Sequence, residues 1–162
     1  MQICTHIIHY CPHNLDSDSN IWSILLPITT AILSAGLTYY IAFFNDRKNK
    51  EKHLDDQLDN IIKTGIQYPY LEAEDFTSNW DKEKLKTGNE IEKYQRYDLY
   101  SILVFNYMER LSEYYSFDDN EIMKHVNIQE WIKMHQKIWD NQHSNSPGYK
   151  PQFKNLVTRF LK

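Results

Sequence analysis

At 162 residues the chain has room for one ordinary domain and an appendage, and with 18 basic against 22 acidic residues it is not built as a whole to grip nucleic acid. Four glycines and five prolines are too few for a turn-rich all-β fold, while the abundance of Glu, Lys, Leu, Ile and Gln favours helices. The mean hydropathy of −0.66 conceals a sharp division, because sustained apolar character is confined to one early stretch.

The N-terminal tail, residues 1–20, holds Cys4, His6, His9, Cys11 and His13 within a few positions of one another. Thiolate and imidazole together suit zinc or copper, and an oxidising exterior would instead suit a Cys4–Cys11 disulfide. A short tail with neither is the third reading. The spacing matches no structural zinc module, so neither a metal nor a cofactor is assigned.

Residues 21–44 read IWSILLPITTAILSAGLTYYIAFF and contain no charge. As a helix, two dozen residues rise roughly 36 Å, enough to cross a hydrocarbon core of about 30 Å. Trp22 at one end and Tyr39 and Tyr40 near the other suit the two membrane interfaces, and Pro27 is expected to bend the helix. A cleaved signal peptide fits poorly, because no basic region precedes the run and no small-residue cleavage site follows it. The first twenty positions lack Lys and Arg, whereas Arg47, Lys48, Lys50 and Lys52 follow at once. The positive-inside rule then places the tail outside and the rest in the cytoplasm, with these cations at the anionic lipid surface. Thr30, Ser34 and Thr38 recur every four residues beside Ala31 and Ala35, a stripe read either as hydroxyls bonded to their own backbone in a lone anchor or as a face for self-association that lines a polar path.

Residues 45–65 continue as a charged amphipathic helix with Leu54, Leu58, Ile61 and Ile62 on one side. They read as a stalk, either solvated or packed against copies of itself. Gly65 and the segment Gln67-Tyr68-Pro69-Tyr70 end it. In 66–162 the strongest element runs from Glu90 to Tyr115; its middle, Leu99 to Met108, is apolar on nearly all sides and predicts a central helix surrounded by others. A short helix is expected to about His125. Asn127, with Glu130 three residues on, caps another through Trp139, and a last helix carries Phe153, Leu156 and Val157.

Asn106 interrupts the apolar run and is expected to be buried within a polar network, with Glu109, Arg110, His125 and His135 as candidate partners. His125 and His135 have Glu121 and Glu130 nearby in sequence. No phosphate-binding loop, nucleophile elbow or zinc-protease helix is present, so no catalytic residue is assigned.

The stretches EKYQRYDLYSILVFNYMERLSEYY, EWIKMH and GYKPQFKNLV resemble a broad group of small bacterial single-pass membrane proteins with one helical domain. The architecture also resembles the membrane accessory protein of type VI-B CRISPR loci, a HEPN-like helical protein that assembles into a pore. That resemblance implies self-association at the membrane in antiviral defence. HEPN ribonucleases pair an Arg with a His a few residues later; here only Arg47 and His53 have that spacing, and Arg96, Arg110 and Arg159 do not. The expectation is therefore an all-α protein, a transmembrane helix followed by a cytoplasmic bundle of about four helices. Its expected role is a non-enzymatic, oligomeric interaction module of the plasma membrane. Its expected partners are the bilayer, further copies of itself and a cytoplasmic protein, with nucleic acid not expected. A membrane-tethered HEPN-type ribonuclease is the alternative.

Overall fold

The computed structural model of the chain describes residues 17–85 and 90–162; Cys4, His6, His9, Cys11 and His13 lie outside the described residues. Every regular element among the described residues is helical. The long first helix, α1, runs Ser17–Gln67. The chain divides into two units at Asp46 and Arg47, within this helix.

The first unit is the apolar part of α1. All its side chains from Ile21 on are exposed, and the run is long and apolar enough to cross a membrane. Its hydroxyls donate to carbonyls of their own helix: Thr29 to Leu26 at 3.0 Å, Thr30 to Leu26 at 2.8 Å, Ser34 to Ala31 at 3.0 Å and Thr38 to Ser34 at 2.8 Å. Such bonds let a hydroxyl sit in an apolar medium without an outside partner.

The second unit, Arg47–Lys162, begins with the remainder of α1. Leu54 and Ile61 are buried in its core and Leu58 packs against them. The stretch 45–65 is therefore not a free-standing stalk, since its apolar face is covered by its own chain. Ile62 and Ile66 stay exposed.

After Gln67, Pro69 opens a 3-10 turn, Pro69–Glu72, whose fixed φ suits a first helical position. Two short elements follow, α2 at Glu74–Ser78 and a 3-10 turn at Lys82–Leu85. Helix α3 spans Ile91–Tyr114 and buries one broad face, including Tyr97, Tyr100, Ser101, Val104, Phe105 and Met108. It is not surrounded on all sides as its composition suggests: Leu99 is 65% and Leu103 50% exposed. Its C-terminus closes with Phe117 N–H bonded to the Ser112 carbonyl at 2.7 Å, a six-residue return of Schellman type. Ser116 and Phe117 supply the left-handed backbone there, with φ of 54° and 59°.

Helix α4, Asp119–His125, is capped by Asp118, which accepts from the backbone of Asn120 and Glu121. Asn127 caps α5, Ile128–Met134, by accepting from Glu130 N–H, the cap expected from sequence. The single helix expected to run on through Trp139 is broken instead. His135 separates α5 from the short α6, Gln136–Ile138, and a π turn follows at Trp139–His143. In an ideal helix, residues eight apart diverge by about 80°. The wider π turn takes back much of that offset, so His135 and His143 are both buried against α3. Helix α7, Pro151–Phe160, closes the core with Phe153, Leu156 and Val157.

Candidate functional site

Several of the buried polar groups meet along one edge of α3. Tyr97 and Ser101, one turn apart, each meet a histidine from the far side of the core. Tyr97 Oη lies 2.8 Å from His135 Nδ1, and Ser101 Oγ lies 3.0 Å from His143 Nε2. Phe105, one turn further on, packs between the two imidazoles with ring centroids 6.5 and 5.4 Å away.

The first histidine leads to a carboxylate. Glu72, at the end of the Pro69–Glu72 turn, accepts from the Tyr100 hydroxyl and from Trp131 Nε1 at 3.0 Å. His135 Nε2 faces Glu72 Oε1 at 3.5 Å, an electrostatic contact too long and misaligned for a hydrogen bond. Burial by itself would raise the Glu72 pKa, but the facing His135 and the Tyr100 and Trp131 donors outweigh it and hold the carboxyl below its usual range. Burial first, and the Glu72 charge second, push the Tyr97 hydroxyl well above the usual tyrosine range; Tyr100 is pushed the same way. The chain of contacts runs Tyr97, His135, Glu72, and it joins α3, the junction between α5 and α6, and the turn that follows α1.

The second histidine has no such partner. Burial pushes His143 down to about 4, so its ring is neutral at physiological pH. The Ser101 hydroxyl donates to the Asp98 carbonyl at 2.7 Å, so His143 Nε2 must be the donor to Ser101 Oγ. A hydrolytic serine needs the reverse, a nitrogen that accepts from the hydroxyl. Ser101 is also fully buried, as are Tyr97 and His135. Glu72 reaches solvent, with its side chain 30% exposed, and Trp131 beside it is half-buried. None of Ser101, Tyr97 and His135 is open to solvent.

Compared with known proteins, the chain matches no family model, no curated protein and no solved structure.

The residues singled out from sequence fall elsewhere. Asn106, expected to be buried, is half-buried, and so is Glu109, which accepts from the Lys150 backbone N–H at 2.7 Å. Arg110 is exposed and lies 3.4 Å from His53 Nε2. The helical phase of α3 explains this: Asn106 and Arg110 fall on the side away from Tyr97, Val104 and Met108. His135 meets Glu72 rather than Glu130, and His125 is exposed with its ring stacked on Tyr115 at 4.7 Å. Arg47 Nε approaches the Tyr114 hydroxyl at 3.5 Å, while Lys48, Lys50 and Lys52 are exposed along α1. Thr30, Ala31, Ser34, Ala35 and Thr38 are exposed on the apolar run. Among the described residues no group of three His, Cys, Asp or Glu is arranged to hold a metal ion. An open groove of about 530 Å³ beside α2, α5 and α6 mixes Glu74, Glu130 and Asp140 with Lys133 and Lys137, with neither charge dominating.

Proposed function

We propose that the chain is a membrane-anchored, self-associating helical interaction module, with residues 21–44 across the bilayer and the Arg47–Lys162 unit in the cytoplasm. One observation carries the reading: the uncharged apolar window of α1 has none of its surface buried by the rest of the chain. Eleven Ile, Leu and Phe side chains lie in 21–44. At about 0.3–0.6 kcal/mol each near a helix centre, they favour insertion by about 3–7 kcal/mol. A signal sequence or a soluble core helix has a similar composition. A core helix would be covered, and a signal would be followed by a cleavage point, whereas α1 runs on into the folded unit. The basic residues after Phe44 support the cytoplasmic placement. A periplasmically active reporter fused after Lys162 should be silent and a cytoplasmic one active; the opposite pattern removes the reading.

Self-association rests on the small side chains Ala31, Ala35 and Gly36, since the neighbouring hydroxyl hydrogens are engaged within α1. Ala31→Leu with Ala35→Leu should disperse the detergent-solubilised oligomer, and Ile32→Leu should not. A monomeric unmodified chain at membrane-like concentration sinks this part. The resemblance to CRISPR-locus accessory proteins extends the role to antiviral defence, testable by phage challenge of cells with and without the chain.

The ribonuclease alternative has one observation in its favour, the approach of Arg110 to His53 at 3.4 Å. Against it, Arg47 turns to Tyr114 rather than toward His53. The purified protein should leave RNA intact; cleavage abolished by His53→Ala and by Arg110→Ala would replace the first reading with the second.

A further inference from the structure

Helix α3 keeps a narrow face that the rest of the Arg47–Lys162 unit leaves uncovered. Along it fall Glu92, Arg96, Leu99, Leu103, Asn106 and Arg110, spaced alternately by four and three residues. That alternation is the seam of a two-helix coiled coil. At its centre Leu99 is 65% and Leu103 50% exposed, although the opposite face of the same helix forms the core. Glu92 and Arg110 at its ends are exposed, and Arg96 and Asn106 are half-buried.

The order of the charges selects the direction of a partner helix. In a parallel, in-register pair each residue meets its own copy, so Glu92 faces Glu92, Arg96 faces Arg96 and Arg110 faces Arg110. Such like-charge layers oppose pairing. Turned antiparallel and centred at the level of Ser101, the seam matches itself: Leu99 meets Leu103, Arg96 meets Asn106 and Glu92 meets Arg110. Both ends then carry the same match, as a twofold axis demands. The side chains are placed for it. Glu92 holds Arg96 of its own chain at 2.5 Å, yet its side chain is 81% exposed and has lone pairs left for a second guanidinium. Arg96 is steadied by stacking 4.0 Å over the Tyr68 ring and by donating to Tyr70 Oη at 3.1 Å. Arg110 approaches His53 Nε2 at 3.4 Å, and among the described residues no carboxylate forms an ion pair with it.

We propose that the exposed seam of α3 is a homotypic contact, covered by the α3 helix of a second copy of the chain running antiparallel. Leucine layers form its centre and a Glu92–Arg110 layer closes each end. Six residues a side is well below a standard interface, so the pair is weak and forms at raised protein concentration. The contact lies wholly within the Arg47–Lys162 unit. It is separate from the Ala31 and Ala35 face and does not rest on the membrane reading.

The test uses the full chain in detergent, with Cys4→Ser and Cys11→Ser and one nitroxide at the exposed Glu113→Cys. Antiparallel copies centred on Ser101 hold the two labels about 36 Å apart along the helix axis, whereas parallel copies hold them about 10 Å apart. The expected dipolar spectrum has a population near the longer distance. Glu92→Lys alone and Arg110→Glu alone should each reduce that population severalfold, since each sets like charges at both ends of the seam. Mixing the two variants should restore it, because every end then joins opposite charges. Leu99→Ser with Leu103→Ser, which touches no ion pair, should also remove it. Circular dichroism of each variant separates unfolding from loss of contact. A short distance alone, no defined distance in the unmodified seam, or a long distance indifferent to these substitutions overturns the proposal. So does a loss in the two folded charge variants that mixing fails to reverse.

Discussion

Glu72 gathers hydrogen bonds from α3 and α5 onto one partly buried carboxylate, and its negative charge is what all its neighbours are oriented to meet. Glu72→Gln keeps the shape but points an amide donor at groups that already donate. It should lower stability by about 1–3 kcal/mol in denaturant titration of the solubilised chain; an unchanged midpoint would show that the network contributes nothing. His143 gives a pH signature. Its folded pKa, about 4, lies below the ordinary 6.5, so the unfolded chain takes up the proton more readily. Its contribution is complete above about pH 6.5 and falls away as pH drops toward 4, by about 2 kcal/mol between pH 7 and pH 5. His143→Gln should flatten that part of the pH–stability curve. Glu72, held below its ordinary 4.5, adds a loss that begins only as pH falls through the carboxylate range.

At the scale of single elements, the caps behave as their residue types dictate and the breaks do not. Asn127 and Asp118 are legible as helix starts, because a short side-chain acceptor before an amphipathic run has one natural use. The return after α3 is less orthodox, with Ser116 where glycine is the usual residue. An L-residue in the left-handed region costs about 1–2 kcal/mol, part of which glycine returns as chain entropy. Ser116→Gly should therefore raise the midpoint of thermal unfolding, by about 0.5–1 kcal/mol of stability; a fall would mean that the Ser116 side chain makes a contact of its own. The division of the segment after Asn127 into α5, α6 and a π turn has no local signal. His135 and His143 both enter the core because Tyr97 and Ser101 receive them from another helix.

At the scale of the molecule, the apolar run of α1 gives way to the folded unit within one helix. The charged stretch after Phe44 has the composition of a stalk, yet Ile61 is 2% exposed and Leu54 7%. Ile61→Ala should destabilise the unit by about 2–5 kcal/mol, the range for a buried aliphatic truncation. Ile62→Ala, at a position 47% exposed, should change it little. Equal, small effects on solubilised protein would restore the stalk reading.

The sequence alone determined the helical class, the position and length of the apolar run, the boundaries of α3 to within a residue or two, the presence of a last helix, and the Asn127 cap. These follow from local rules, namely unbroken apolar length, 3.6-residue spacing and short polar acceptors. It misplaced the polar centre: Asn106 drew notice by interrupting an apolar run, while the buried network formed around Glu72, Tyr97 and His135. Glu72 and His135 stand 63 positions apart, and no periodicity links them. Only the packing of the Pro69–Glu72 turn against α3 and α5 brings them together. It also decides which side of α3 is covered, since a helix apolar all round offers no sequence record of the face its neighbours will choose.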